Sequence, residues 1–161
     1  MTFRSLVLLA AVLMASCSKS GPKSFDEPVT EIDWQMLGEI DLISGEVPAP
    51  LKALEGQLVK LPGFIAPIDT DGEGQVRQFA IVPYQGACIH TPPPPPNQMV
   101  YVPDTGEQYA MKMEDDSVYI PYWFTGRLAL TPQESAFGPI SSNFTPLADM
   151  VPWEPPEETA K

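Results

Sequence analysis

Five consecutive prolines, Pro92 to Pro96, interrupt this 161-residue chain near its middle. They carry no backbone N–H and have a fixed φ, so the stretch joins neither a helix interior nor a central strand. It forms a stiff polyproline II rod of roughly 15 Å, at about 3.1 Å per residue. The rod follows Tyr84-Gln85-Gly86-Ala87-Cys88-Ile89-His90-Thr91 and precedes Asn97-Gln98-Met99. His90 is the only histidine, and Cys88 the only cysteine beyond residue 17. A rod placed there restrains the loop before it, which makes the segment either a pre-organised site or a rigid surface edge.

Cys88 and His90 are two residues apart, so on an extended backbone their side chains project to one face. Thiolate and imidazole are both good zinc ligands. Two ligands do not close a site. The missing ones would be carboxylates, with Glu114, Asp115 and Asp116 as candidates, or groups from a partner. Thioethers from Met99, Met111 and Met113 would instead favour Cu(I), the less favoured metal here. A buried thiol and a satisfied core histidine are the structural alternative. A third reading makes Cys88 a nucleophile with His90 as its base. Catalytic pairs usually converge from separate elements, so no catalytic residue is assigned. A fourth takes Tyr84, Tyr101, Tyr122 and Trp123 with the prolines as a docking surface for another protein.

This stretch resembles a family of small Gram-negative secreted proteins and lipoproteins of unknown function, with a signature close to Gly-Ala-Cys-Ile-His-x-Pro-Pro-Pro-Pro-x-Asn-Gln. Gly86, Ala87, Cys88, Ile89, His90, Pro92, Pro93, Pro94, Pro95, Asn97 and Gln98 match it. Members are often encoded beside ABC-transporter components and a histidine-rich zinc-binding protein. The resemblance therefore implies metal handling at the envelope, with an ABC permease or a periplasmic metal-binding protein as partner. It implies zinc as the metal.

The first sixteen residues hold one basic residue, Arg4, and an apolar run too short to span a bilayer. They read as a secretory signal. Met14-Ala15-Ser16-Cys17 then resembles a lipobox, with Cys17 as the lipidated first residue of the mature chain. Ser18 after it favours the outer membrane. Residues 17–29 read as lipidated cysteine and tether. Cys88 would then be the one free thiol.

The formal charge is −12, and losing Arg4 with the signal makes it −13. Such a chain is repelled by nucleic acid, and it has no Gly-rich phosphate loop. Neither nucleic acid nor nucleotide is expected.

The remaining pattern is mainly β. A hydroxyl cap at Thr30 predicts a short helix over 31–37. Period-two alternation predicts strands at 57–65, 76–82, 98–102, 109–113, 117–120 and 123–130, with a bulge or sharp coil at Gly63. Asp69 to Gly74 reads as a solvated hairpin tip, since the spacing lacks the closing glutamate of an EF-hand loop. Six short strands and one helix predict a small barrel or sandwich over residues 30–136, of OB type. Residues 137–161, rich in proline and acid, are expected to form an extended tail.

Overall fold

The computed structural model describes residues 24–86, 93–104, 109, 111–113 and 116–153. Its organising element is the 13-residue strand β2 (Leu58–Thr70), preceded by β1 (Thr30–Glu31). Val59, Leu61 and Ile65 face the main core, while Phe64 and Ile68 face the other side, as period two requires. The first half of β2 pairs antiparallel with β5 (Tyr122–Ala129), from Leu58↔Arg127 to Gly63↔Tyr122. The second half pairs with β3 (Val76–Val82), from Phe64↔Val82 to Thr70↔Val76.

The change of partner falls at Gly63, where a sharp coil is expected. A Cβ there would lie 2.6 Å from Ile81 Cγ2 and 2.9 Å from the Val82 carbonyl oxygen. Only glycine lets the strand bend so close to its neighbour. The register irregularities come later, between Pro67 and Thr70.

Strand β3 pairs with β4 (Val100–Val102), and β4 pairs in parallel with β8 (Ser142–Pro152). Antiparallel pairing of β8 with β5 closes the ring. The closed order β2-β3-β4-β8-β5, with one parallel pair, is the connectivity of an OB-type barrel. The hairpin of β6 (Gln133–Ser135) and β7 (Gly138–Ile140) hangs on the β5–β8 connection. Phe79, Ile81, Val100, Val102, Phe124, Leu128 and Phe144 fill the interior. A satellite cluster of Ala66, Ala80, Val82, Met99 and Ile140 covers the outer wall of β2–β4, with Phe137 and Tyr101 packed on it.

The amino-terminal segment seals the edge of β2 that β3 leaves uncovered. Thr30 and Glu31 lie parallel to Val59 and Lys60. The Ile32 amide donates to the Lys60 carbonyl (2.9 Å), and the Trp34 indole donates to the Pro62 carbonyl (2.7 Å). Unpaired strand carbonyls are thereby satisfied. Helix α1 (Trp34–Gly38) is capped by Asp33, whose carboxylate accepts from the Met36 amide at 2.8 Å. Asp33, not Thr30, is thus the cap, because Thr30 is committed to the strand pair. A second helix, α2 (Ala49–Lys52), had no counterpart in the sequence reading.

Three expectations are corrected. Residues Asp116–Tyr119 form a 3-10 helix rather than a strand, and it turns Val118 into the core. At 109–113 there is only an isolated bridge, Gln75↔Lys112, among the described residues. The barrel does not end at residue 136. Eleven of the residues read as an extended tail are β8, which forms the longest interface with β5. Pro146 falls in the register irregularity between Phe144 and Leu147, and Pro152 is the last residue of the strand, positions where a missing N–H is tolerated.

Candidate functional site

The proline segment and its flanks form the β3–β4 connection. Val82 ends β3 fully buried, Tyr84 beyond it is 48% exposed, and Gly86 turns the chain with φ 85°, a conformation that favours glycine. The chain re-enters at Pro93. Pro93 and Pro94 pack with Ala66, Val82, Met99 and Phe137 around a gap too small for water. Pro95 is extended, with φ −60° and ψ 155°, so the end of the rod has the predicted polyproline conformation. A 3-10 turn, Pro96–Gln98, then leads into β4.

The Asn-Gln pair after the rod has a role that sequence reasoning did not find. The buried Asn97 amide donates to the Gly38 and Ile40 carbonyls, both at 2.9 Å. Gln98 Nε2 donates to the Trp34 carbonyl at 2.7 Å. The Gly38 and Ile40 carbonyls lie at and just beyond the carboxyl end of α1, a helix too short to satisfy them itself, and the Trp34 carbonyl belongs to its first residue. The Ser141 amide donates to the Pro96 carbonyl at 3.0 Å, tying the β7–β8 link to the same turn. The carboxyl end of the loop is therefore fastened to the helix, to the β2–β3 wall and to the last strand. Only the clustering of Asn97 and Gln98 against the prolines hinted at it; their partners lie some sixty positions away.

The predicted ligands fare differently. Cys17, Cys88, His90, Pro92, Glu114 and Asp115 lie outside the described residues. Met99 and Met111 are buried in the satellite and main clusters, where they act as packing groups. Met113 is 40% exposed, so Met111 and Met113 do not share a face. Asp116 is exposed in the first turn of its 3-10 helix. Among the described residues, no three His, Cys, Asp or Glu side chains are gathered as a metal would need.

The four aromatics of the docking reading lie in different places. Tyr122 is in the core, and Trp123 lines a groove with Phe25, Val29 and Lys60. Tyr101 donates to Gln78 Oε1 at 3.0 Å on the outer wall of β3–β4, leaving Tyr84 as the exposed aromatic of the loop.

Two carboxylates are held below the ordinary range, both by turn amides. Asp71, at the β2–β3 hairpin tip, accepts from the Gln75 and Glu73 amides at 2.9 Å and pairs with Arg77 at 3.0 Å. Asp41 accepts from the Ser44 and Ile43 amides at 2.7 and 2.8 Å. Each carboxylate organises its own turn, which is the structural reading of the Asp69–Gly74 acids.

Residues 44–146 match a family described as "Protein of unknown function (DUF3299)". A crystal structure of a DUF3299 family protein from Pseudomonas aeruginosa PAO1 is similar to this chain, with a TM-score of 0.62 and 30% sequence identity. The alignment covers 81% of this chain and 99% of that one. No curated protein matches. With its barrel and the greater part of its length matched, this chain belongs to the DUF3299 family.

Proposed function

We propose that this chain is an envelope-anchored accessory lipoprotein of a metal-linked ABC transport system. In this reading Cys17 carries the lipid, and the β3–β4 loop offers Cys88 and His90 to one transition metal, zinc before Cu(I). The observation that carries the reading is the bracing of that loop. Pro94 is buried on the barrel wall with exposed Pro93 beside it, and Asn97 and Gln98 hold three backbone carbonyls in and just after α1. A loop with a fixed base loses less conformational freedom when its ligands close on an ion. A site with two protein ligands keeps open positions, which suits passing a metal to a permease or a periplasmic binding protein better than a permanent structural site. The acidic charge supports cation traffic over nucleic-acid binding.

Elemental analysis of protein purified without a histidine tag tests the reading. It predicts zinc in the wild type and its loss in Cys88→Ser. Equal metal content in both, or none in either, overturns it. The second reading, a metal-independent docking module, draws on the exposure of Tyr84 beside the proline segment. It predicts partner binding that survives Cys88→Ser and is lost in Tyr84→Ala. A Cys88–His90 thiol enzyme has no described residue that supports it.

A further inference from the structure

One sector of the barrel wall has no part in the loop. On β5 and β8 the residues facing away from the core include Trp123, Thr125, Asp149 and Val151, and Trp123 is registered opposite Val151. With Phe25, Val29 and Lys60 they line a groove of about 250 Å³. Val29, Val151 and Trp153 are each between 37% and 39% exposed. The Trp153 ring meets Trp123 edge-on at 6.5 Å, and the Lys60 ammonium stands 4.1 Å from the centre of a Trp123 ring. The Trp153 amide donates to the Pro121 carbonyl at 2.9 Å, so the strand end that carries this indole is fixed.

We propose that this face rests on the surface of the bilayer in which Cys17 is anchored. The proposal depends on the lipoprotein reading and extends it to orientation. Tryptophan favours the headgroup level, where its apolar body and polar N–H are both accommodated. Lysine beside it can extend its ammonium to a lipid phosphate while its stem stays on apolar surface. The reach of the anchor selects this face over others. Seven residue steps separate Cys17 from Ser24, a span of at most about 25 Å. Phe25, the next residue, already lines the groove. Arg127 holds Glu27 by an ion pair and donates to the Gly56 carbonyl at 2.7 Å, fixing the chain along β5 where it leaves the anchor. The occupant is a zwitterionic bilayer, because the mature chain, at −13 once Arg4 is removed with the signal, gains nothing from anionic headgroups. The wall that carries Pro93 and Pro94 is a different sector, built on β2–β4.

Three tryptophans make the test direct. The acylated full chain is reconstituted in phosphatidylethanolamine–phosphatidylcholine vesicles containing a lipid that quenches fluorescence at headgroup depth. Trp34→Phe/Trp123→Phe leaves Trp153 as the only emitter, and Trp123→Phe/Trp153→Phe leaves Trp34, with circular dichroism as the control for folding. Trp153 emission should fall by roughly half or more, and Trp34 emission hardly at all. Mass spectrometry for acyl chains and flotation with the vesicles are read on the same samples. Acylated, floating protein whose Trp153 is quenched no more than Trp34 overturns the orientation and leaves the anchor standing. Emission from Trp153 that shifts with protein concentration but not with the quencher assigns the face to a second copy and also overturns it. Unacylated protein that stays in solution overturns the lipoprotein reading and this proposal together.

Discussion

Replacing Asn97 tests how the proline loop is fastened. Asn97→Ala removes two donors and leaves the Gly38 and Ile40 carbonyls without the partner they have at 2.9 Å. Each lost bond is worth about 1 kcal/mol net, and stranded buried acceptors raise the cost, giving about 2–4 kcal/mol in all. For a domain of this size that is a drop in Tm of roughly 6–12 °C. Thermal melts of the Cys17→Ala protein, with and without the change, would read it. Asn97→Asp sharpens the test, because it keeps the shape and replaces two donors with a carboxylate facing two carbonyl oxygens. It should cost at least as much as alanine at neutral pH. Its folded pKa would be raised by that repulsion, so the penalty should shrink as the pH falls and the acid becomes protonated. If Asn97→Asp melts with the parent protein, or both changes shift Tm by under about 2 °C, the hydrogen bonds are not what holds the loop.

Three further outcomes are expected. Gly126→Ala would put a Cβ 2.5 Å from Phe144 Cγ and should cost about 1–3 kcal/mol by overpacking, seen as a lower urea midpoint with an unchanged slope. Asp71 has its pKa lowered from 3.8 by the Gln75 and Glu73 amides and by Arg77, so its contribution to stability is present above that value and is lost as pH falls through the lower folded pKa. The wild type should therefore outmelt Asp71→Asn at neutral pH, and the gap should close in acid. Replacing Pro93-Pro94-Pro95 with Gly-Ser-Gly should leave the barrel folded and weaken zinc binding less than Cys88→Ala does, read by competition with a chromophoric chelator.

The barrel was readable wherever apolar residues alternate between the two faces of a strand. Val76–Val82 was predicted residue for residue, and the expected coil at Gly63 is where β2 changes partners. The pattern failed where tertiary contacts override local signals. Ser142, Asn143 and Phe144 are buried in succession, and two prolines follow, so β8 lacks both alternation and a strand-like composition. Its strand character comes from β5, a partner that no local rule identifies. Residues 116–119 carry strand-forming Val118 and Tyr119, yet they form a 3-10 helix that buries Val118 and leaves Asp116 and Tyr119 exposed. The proline run marked a break between strands, and the segment does connect β3 to β4. The role of Asn97 as an external cap of α1, and of Gln98 as a donor to the first residue of that helix, did not show, because a hydrogen bond across some sixty residues leaves no periodic trace. Met99 and Met111 suggested soft ligands by type alone; burial makes them packing groups.

Isothermal titration of zinc into the Cys17→Ala protein, beside its Cys88→Ala and His90→Ala derivatives, bears most directly on the proposed role. One zinc should bind per chain, with release of protons and with affinity falling as the pH drops through about 6.5, where histidine protonates. Each loop substitution should weaken binding by roughly tenfold or more while circular dichroism stays unchanged, since the barrel core lies elsewhere. Equal zinc binding by the parent and Cys88→Ala, or no binding by either, would contradict a metal site in this loop.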